Sequence, residues 1–224
     1  MLEIYAIRLV EEAVFIKFKN HLISKLPLNI ATKFSDYKHS DSLQRSLLGE
    51  LLLRKIVSQK LKMNGKDIVF QIGDKGKPYL PNQNMYFNIS HSGQWVLGAF
   101  SDKEVGIDVE LIREPNYEVA KRFYSDIEIA NLNAISDPEL KKDYFFTLWT
   151  LKESYLKAIG TGLTKSLSSF TVITSNGQIE LVDGLPIDTI FFKQYNFDKD
   201  YKLAVCSFEN KFCEDIQLID ILSF

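Results

Sequence analysis

The feature that most constrains the fold is the alternation of apolar and acidic residues in Gly106-Ile107-Asp108-Val109-Glu110. A period of two predicts a strand with one buried face, and it places Asp108 and Glu110 on the same side. Downstream, a period of four predicts one stripe of a helix, made of Trp149, Glu153 and Lys157. Together the two segments supply three carboxylates and a cation, which could hold a hard divalent metal ion against a phosphate-bearing ligand.

Each segment also has an ordinary structural interpretation. Acidic residues that alternate with Ile and Val commonly form the solvated face of a half-buried strand. Glu153, with Lys152 and Lys157 nearby, equally fits a helical ion-pair face worth about a few tenths of a kcal/mol. The functional interpretation therefore depends on what the other segments of the chain supply.

Helices and strands are predicted in groups, without regular alternation between them. A long helix is predicted to begin at Ser40 or Asp41 and to continue to about Met63, because apolar residues recur on one of its faces. Short strands are then predicted at 68–72, 86–90, 95–100 and 105–110. Three further helices are predicted at 117–123, 126–135 and 138–159.

The last of these helices has clear signals at both ends, because Pro138 suits a first helical turn and Gly160 suits a helix terminus. Strand patterns return at 170–173, 179–182, 190–195 and 202–207, with Asn176-Gly177 as a hairpin turn. This grouping predicts an α+β fold. The order of elements also allows two halves that meet near 101–105, but periodicity leaves open whether the halves resemble each other.

Composition and charge exclude several classes of protein. The 224 residues carry a formal net charge of −2, so no global basic field favours nucleic acid as a partner. No apolar run approaches the about 20 residues of a transmembrane helix, and the first residues lack the pattern of a secretory signal. Cys206 and Cys213 show neither metal-ligand spacing nor a disulfide-rich context. We expect a cytoplasmic protein that meets anionic ligands through a local basic cluster.

Two further segments suit the binding of phosphate. In Phe87–Gly93 a predicted strand runs into a turn, where Ser90, His91 and backbone N–H groups could contact a phosphate or a sugar. In Gly76-Lys77-Pro78 a rigid turn could aim Lys77 at an anion. Taken singly, the first segment is more simply a strand end capped by serine, and the second a solvated turn.

Taken together, these segments resemble the 4′-phosphopantetheinyl transferase family, specifically its surfactin-synthetase-activating type. Four segments carry the resemblance in the family's order and spacing: Gly76–Pro78, Phe87–Ser92, Gly106–Glu110 and Trp149–Lys157. Arg45-Ser46-Leu47-Leu48-Gly49 is also similar to the start of the family's first long helix. The resemblance spans roughly residues 4–208, and the joint occurrence of the four segments is far more specific than any one of them.

The resemblance implies two similar α/β halves in a pseudo-two-fold arrangement, 1–104 and 105–224, within one monomer that binds coenzyme A between them. It implies the Mg²⁺-dependent transfer of 4′-phosphopantetheine from coenzyme A to a serine of an apo acyl or peptidyl carrier protein. Adenosine 3′,5′-bisphosphate would be released, and Mn²⁺ could replace Mg²⁺. Resemblance to the surfactin-synthetase-activating type favours carrier proteins of non-ribosomal peptide and antibiotic biosynthesis as substrates, with polyketide and fatty acid carriers as alternatives.

The resemblance also assigns roles to individual residues. Asp108, Glu110 and Glu153 match the family's metal-site acids, and Glu153 is also a candidate base for the carrier serine, directly or through water. Lys157 matches a group that stabilises or protonates the leaving bisphosphate. The remaining matches to coenzyme A contacts are Lys33, Arg45, Ser46, Lys77, Pro78, Ser90, His91 and Lys152.

The chain departs from the family pattern before its first long helix. The family commonly has two basic residues there, whereas this chain has Lys33 at one position and Ile30 at the other. Either one cation is missing or the alignment contains a gap. For carrier docking, the stretch Tyr117–Ala134, with its apolar residues Phe123, Tyr124, Ile127 and Ile129, is a candidate, although ordinary core packing is the favoured explanation.

Two other classes of function use some of the same residues. A metal-dependent phosphatase or pyrophosphatase could use the three acids with water as the nucleophile, but it has no need for Lys77 or the Ser90-His91 segment. A carrier-binding module without catalysis would not need Asp108, Glu110, Glu153 and Lys157 together. The sequence therefore favours the transferase.

Overall fold

The computed structural model describes residues 1–34, 40–175, 177–182 and 190–224, and it describes only the backbone of Ser40 and Leu163. The helices are α1 (Glu12–Ser24), α2 (Leu28–Ala31), α3 (Ser40–Leu61), α4 (Tyr117–Phe123), α5 (Asp126–Ala134) and α6 (Pro138–Ile159). Short 3₁₀ turns connect several of the elements. The side-chain cap expected at Ser40 and the turn residue Asn176 lie outside the described part of the chain.

The strands of the first half are β1 (Glu3–Arg8), β2 (Gln71–Ile72), β3 (Pro78–Tyr79), β4 (Tyr86–Ser92) and β5 (Trp95–Ser101). Those of the second are β6 (Val105–Leu111), β7 (Thr171–Ser175), β8 (Gln178–Val182), β9 (Phe191–Gln194), β10 (Tyr201–Ser207) and β11 (Ile216–Leu218). Helices and strands are grouped as expected, which confirms the α+β class.

The strands form two main sheets. One has the order β11-β1-β5-β4, and the other has the order β6-β10-β9. Strands β2 and β3 form a small hairpin, and β7 and β8 form another, in which Ser175 lies opposite Gln178. Because β4 and β6 are edge strands of different sheets, the two sheets can meet along them.

Three apolar clusters hold these layers together. The first lies beneath α3 and includes Leu48, Leu52 and Phe100, and the second surrounds α6. The third joins the two sheets, with Ala6 and Leu97 from one and apolar residues such as Val205 from the other. None of the helices that the described residues form is long and apolar enough to span a bilayer.

The end of the chain returns to the first half. Strand β11 pairs in parallel with β1, and Ile221 lies in the first apolar cluster. The predicted division at 104 and 105 stays a prediction, and these last residues pack against elements that precede it. The sequence pattern did not predict β11, β1 or α1, because pairing partners far along the chain determine where short strands form.

Local signals set the ends of the long helices. Helix α6 begins after Asp137, whose side chain accepts hydrogen bonds from the backbone N–H groups of Glu139 and Leu140, and it ends at Gly160 with φ at 68°. Helix α3 ends at Leu61 because Lys62 adopts a φ of 54°, two residues before the end that the sequence predicts.

Gly106 permits the close approach of β6 to α6. A Cβ atom at this position would overlap the backbone oxygen of Ser154 and the backbone nitrogen of Ala158, so only glycine fits. Both obstacles are main-chain atoms of a packed helix and cannot rotate away. The glycine of this segment therefore sets the distance between the acidic strand and the helix that carries Glu153.

We expect Gly106→Ala to lower the free energy of unfolding by about 3 kcal/mol, at the upper end of ordinary overpacking. Gly177→Ala is the matched control for a glycine-to-alanine change, because a Cβ atom added there would meet open space and only the φ of 77° resists the substitution. Urea unfolding of both variants measures the difference. Equal losses for the two would contradict the close packing of β6 on α6.

Candidate active site

The two strand acids lie in β6, where this strand faces β4. Asp108 is buried, with 3% of its surface exposed, and Glu110 is half-buried. The Ser90 hydroxyl donates to Asp108 Oδ1 at 3.1 Å, and the Ser92 hydroxyl donates to Glu110 Oε2 at 2.7 Å. Both carboxylates are therefore oriented by side chains from the neighbouring sheet.

Helix α6 supplies the third acid and the lysine. Lys157 Nζ donates to Asp108 Oδ1 at 2.5 Å and to Ser90 Oγ at 3.0 Å. Glu153 lies one turn earlier and is half-buried. The structure thus brings Asp108 and Lys157 into contact, and the charges of Glu110 and Glu153 lie close enough to interact with that of Asp108.

All three carboxyl groups have raised pKa values. Burial is the largest cause at each, and at Asp108 the neighbouring Lys157 and Ser90 oppose it. At Glu110 and Glu153 the negative charge of Asp108 is the second cause of the raised pKa. Carboxylates crowded together and withdrawn from water create a strong demand for a cation.

The donor set fits a magnesium ion by its chemistry. Carboxylate oxygens are the hard ligands that Mg²⁺ prefers, and Asp108 Oδ2 is buried without a hydrogen-bond partner. Among the residues that the structure describes, no group of three or more acidic, histidine or cysteine side chains has an arrangement that could hold a metal ion. Oxygens of the substrate would therefore have to complete the site. Mg²⁺ is usually bound by one or two carboxylates together with oxygens of the substrate phosphates.

The positive charges of Arg45 and Lys157 lie near His91 of β4. Arg45 of α3 donates to the carbonyl oxygen of Gly93 at 3.0 Å. Partial desolvation, followed by the charges of Arg45 and Lys157, lowers the pKa of the exposed His91. Ser46 is half-buried on the same helix as Arg45. An anionic ligand next to His91 would lie close to the positive charges of Arg45 and Lys157.

A cavity of about 290 Å³ lies between the lysine turn and helix α6. Its lining includes Lys77 and Pro78 from the turn, Asn88 from β4, and Glu153 and Lys157 from α6. The predicted phosphate-binding turn and two of the predicted reactive side chains therefore border one space.

Lys77 has a definite set of partners in this arrangement. Its Nζ donates to Glu104 Oε2 and to the carbonyl oxygen of Ala158, both at 2.9 Å, and to that of Val105 at 3.3 Å. It therefore binds a free carbonyl in the last turn of α6, as lysines near helix C-termini often do. Its three donors are all used, so a phosphate would have to take the place of one of these partners.

The segment before α3 is described only up to Phe34. Lys33 is exposed in the 3₁₀ turn Thr32–Phe34, directly before residues 35–39, which are not described. Ile30 packs against the first apolar cluster. Ile30 is therefore a packing residue, and the missing cation stays a prediction.

The structure contradicts the assignment of Lys152 to a phosphate. Its side chain is fully buried and points into the protein, where Nζ donates to both oxygens of Glu128 at 2.7 and 2.5 Å and to the carbonyl oxygen of Phe170 at 2.7 Å. Lys152 is adjacent to Glu153 in sequence but about 100° away around the helix, so it faces the core.

Most of the apolar residues named in the stretch proposed for carrier docking are core residues. Tyr124 is buried, and Phe123 and Ile129 pack against the second apolar cluster, whereas Ile127 is 55% exposed. Beside it, a separate cavity of about 420 Å³ adjoins Glu110 and is lined by residues that the sequence did not single out, among them Arg113, Pro115, Val119, Phe145 and Phe146. Their signal in the sequence is weak because they come from three separate elements and loops.

An acidic edge strand, a helix with Glu153 and Lys157, and nearby cations suit the transfer of a phosphorylated group. The chain belongs to the 4′-phosphopantetheinyl transferases. The family model of the 4′-phosphopantetheinyl transferase superfamily matches residues 104–206, and that of the 4′-phosphopantetheinyl transferase N-terminal region matches residues 17–103.

Individual relatives agree with this family assignment. 4′-Phosphopantetheinyl transferase Sfp of Bacillus subtilis (strain 168) is 38% identical over 82% of this chain and 82% of its own length. The transferase ffp of Bacillus subtilis is 36% identical over 89% of this chain and 90% of its own. The transferase gsp of Aneurinibacillus migulanus is 33% identical over 88% and 85%. The chain is thus an enzyme of the Sfp type, a transferase that modifies carrier proteins with phosphopantetheine.

Proposed function

We propose that this transferase takes 4′-phosphopantetheine from coenzyme A and attaches it, in a Mg²⁺-dependent reaction, to a serine of apo acyl or peptidyl carrier proteins. Adenosine 3′,5′-bisphosphate is the other product. The observation that carries the proposal is the contact of Lys157 with Asp108, next to a cavity lined by Glu153, Lys157 and Lys77. The charges of Glu110 and Glu153 interact with that of Asp108. Carboxylates for a metal and lysines for phosphates are the groups that a pyrophosphate substrate requires.

Asp108, Glu110 and Glu153 would hold the magnesium ion, or manganese in its place. When bound, the ion would neutralise the pyrophosphate charge and stabilise negative charge on the leaving group. The unpartnered Asp108 Oδ2 and the crowding of the three carboxyl groups support this role. Ser90 and Ser92 keep the two strand carboxylates oriented.

Glu153 and Lys157 act on the protons of the reaction. The raised pKa of Glu153 suits a general base, which accepts the proton of the carrier serine as that oxygen bonds to the phosphorus of the phosphopantetheine group. The bond from this phosphorus to the bridging oxygen breaks, and its electrons stay on the departing bisphosphate. Lys157, one helical turn from Glu153, donates a hydrogen bond or a proton to that leaving group.

The nucleotide end of coenzyme A is held by the basic groups near β4 and α3. The residues proposed for these contacts are Lys33, Arg45, Ser46, Lys77, Pro78 and His91. With a net charge of −2 overall, the protein depends on such a local cluster to bind three anionic phosphate groups. Ser90, by contrast, supports Asp108, because its hydroxyl donates to that carboxylate and accepts from Lys157 and from the backbone N–H of Val109.

Lys77→Met is expected to weaken coenzyme A binding about tenfold, because a charge-assisted hydrogen bond is worth about 1.5–3 kcal/mol. Lys66→Met is the control, since Lys66 is an exposed lysine of the 3₁₀ turn Gly65–Asp67 and does not line the cavity. Calorimetric titration with coenzyme A measures both affinities. If Lys77→Met binds coenzyme A as tightly as Lys66→Met does, Lys77 only stabilises the end of α6.

The proposal also includes the carrier partner, the oligomeric state and the cellular compartment. Peptide-synthetase carriers of antibiotic biosynthesis are the first candidates for the physiological partner, followed by polyketide and fatty acid carriers. The chain is proposed to act as a monomer of two similar halves, divided near 104 and 105. Its two cysteines are free thiols, which suits the reducing cytoplasm.

Release of adenosine 3′,5′-bisphosphate tests the proposed reaction against hydrolysis. Chromatography of a mixture with coenzyme A should detect the bisphosphate only when Mg²⁺ and an apo carrier are both present. Addition of a chelator should stop its release, and excess Mg²⁺ should restore it. Release without a carrier would identify water as the nucleophile and favour a pyrophosphatase.

A further inference from the structure

Three side chains of β4 bind backbone groups of β6 in a regular series. Asn88 Oδ1 accepts from the N–H of Ile107 at 3.0 Å, and Ser90 Oγ accepts from that of Val109 at 3.2 Å. Ser92 Oγ accepts from the N–H of Leu111 at 3.1 Å. We call Asn88, Ser90 and Ser92 the β4 ladder.

The ladder joins the two sheets in a fixed register. Each acceptor lies 19 positions before its donor, so β4 and β6 run side by side in the same direction. The two strands belong to different sheets, and side-chain oxygens take the place that carbonyl oxygens hold in a parallel pair. Side chains alternate between the two faces of each strand. The ladder fixes the main chain on both sides of Asp108 and on both sides of Glu110, so it also fixes the positions of these two acids.

Two members of the ladder also hold the carboxylates directly. Ser90 donates to Asp108 and Ser92 donates to Glu110, in addition to accepting from the backbone N–H one residue further along. Each hydroxyl thereby links the main chain of β6 to one acidic side chain. Both the position of the strand and the direction of its acids depend on these two oxygens.

We infer that the β4 ladder positions the metal-binding strand, and that Ser92 is the positioning residue for Glu110. The inference rests on the proposed role of Asp108, Glu110 and Glu153 as metal ligands. Ser92 touches neither phosphate nor metal in this role. It fixes the carboxylate that does, as outer hydrogen-bond partners of metal ligands commonly do.

Ser92 is the member of the ladder that can be tested cleanly. Ser90 also contacts Lys157, so its removal would disturb the proposed proton donor as well. Ser101 is the matched control, because its hydroxyl accepts from the backbone N–H of Lys103 at 3.2 Å, the same kind of bond. It lies at the far end of β5, opposite Tyr86, whereas Trp95 at the near end lies opposite Ser92.

The experiment is a titration with Mn²⁺, followed by electron paramagnetic resonance, with coenzyme A present and no carrier protein. We expect Ser92→Ala to bind Mn²⁺ at least about tenfold more weakly than the unaltered protein. Ser92→Thr keeps the hydroxyl and is expected to restore most of the affinity. Ser101→Ala is expected to bind as the unaltered protein does. Amide hydrogen exchange should be faster at Leu111 in Ser92→Ala.

The possible results separate the inference from the proposed function. If the unaltered protein binds Mn²⁺ and Ser92→Ala binds it equally well, the positioning role is wrong even when exchange at Leu111 is faster. An equal loss in Ser92→Ala and Ser101→Ala also overturns it, because the effect is then one of general stability. If the unaltered protein binds no Mn²⁺, the metal role of the three acids fails, and the positioning role fails with it.

Discussion

Asp108→Asn is expected to reduce phosphopantetheine transfer by about a thousandfold or more while the protein stays folded. The substitution keeps the size of the side chain but removes a negative oxygen from the site proposed for Mg²⁺, and a bound metal contributes several kcal/mol of charge stabilisation. Glu153→Gln is expected to have a loss of similar size, since a positioned base alone contributes about 10²–10⁴-fold. Initial rates with a saturating apo carrier measure both effects.

Asp108→Asn also leads to a prediction for the stability of the folded protein. Burial raises the pKa of Asp108 in the metal-free protein. The Asp108 carboxyl therefore contributes its full share to the free energy of unfolding at acidic pH, and this share is lost as pH rises through the folded-state pKa. Asparagine never ionises, so Asp108→Asn should not be less stable than the unaltered protein at neutral pH. Lys157 is partly exposed and keeps contact with water when its partner is replaced. Thermal unfolding with a chelator present measures this, and near-normal transfer by a folded Asp108→Asn would show that the site is misassigned.

Lys152→Met is expected to lower the free energy of unfolding by about 3–5 kcal/mol, the usual result of removing one partner from a buried ion pair. Glu128 would stay fully buried, without the ammonium group that binds both of its oxygens. Glu128 also accepts from the backbone N–H groups of Ser125 and Val172, so the pair ties α5 and β7 to α6. Urea unfolding measures the loss.

Lys142→Met is the control for this prediction. Lys142 lies on the same helix and pairs with Glu139, which is mostly exposed, so its replacement should change stability little. The double variant Lys152→Met with Glu128→Gln should recover part of the loss, because no buried charge is then left without a partner. A loss no larger than that of Lys142→Met would contradict the account of a buried pair.

The parts of the fold that local signals determine could be predicted from the sequence. The bounds of α6 follow from Pro138 and Gly160, and those of α4 were predicted at the same residues. Strand β6 and the shared side of Asp108 and Glu110 follow from a period of two. Strands β1 and β11 pair with partners far along the chain, so no local pattern indicated them.

The same distinction holds within the site. Residue spacing predicted that Glu153 and Lys157 share a helical face, and the structure places Lys157 against Asp108. Spacing could not indicate that Lys152 would meet Glu128, because the partner comes from another helix. The β4 ladder also could not be predicted from the sequence, because the register between the two sheets determines which hydroxyl contacts which carboxylate.

The most direct test of the central claim is the mass of an apo carrier protein after incubation with this enzyme, coenzyme A and Mg²⁺. We predict a gain of one phosphopantetheine group on a single serine, no gain when that serine is replaced by alanine, and no gain when a chelator removes the metal. A panel of peptidyl and acyl carriers would show which class is preferred. The absence of any gain across the panel, or a gain that persists with the chelator, would contradict the account.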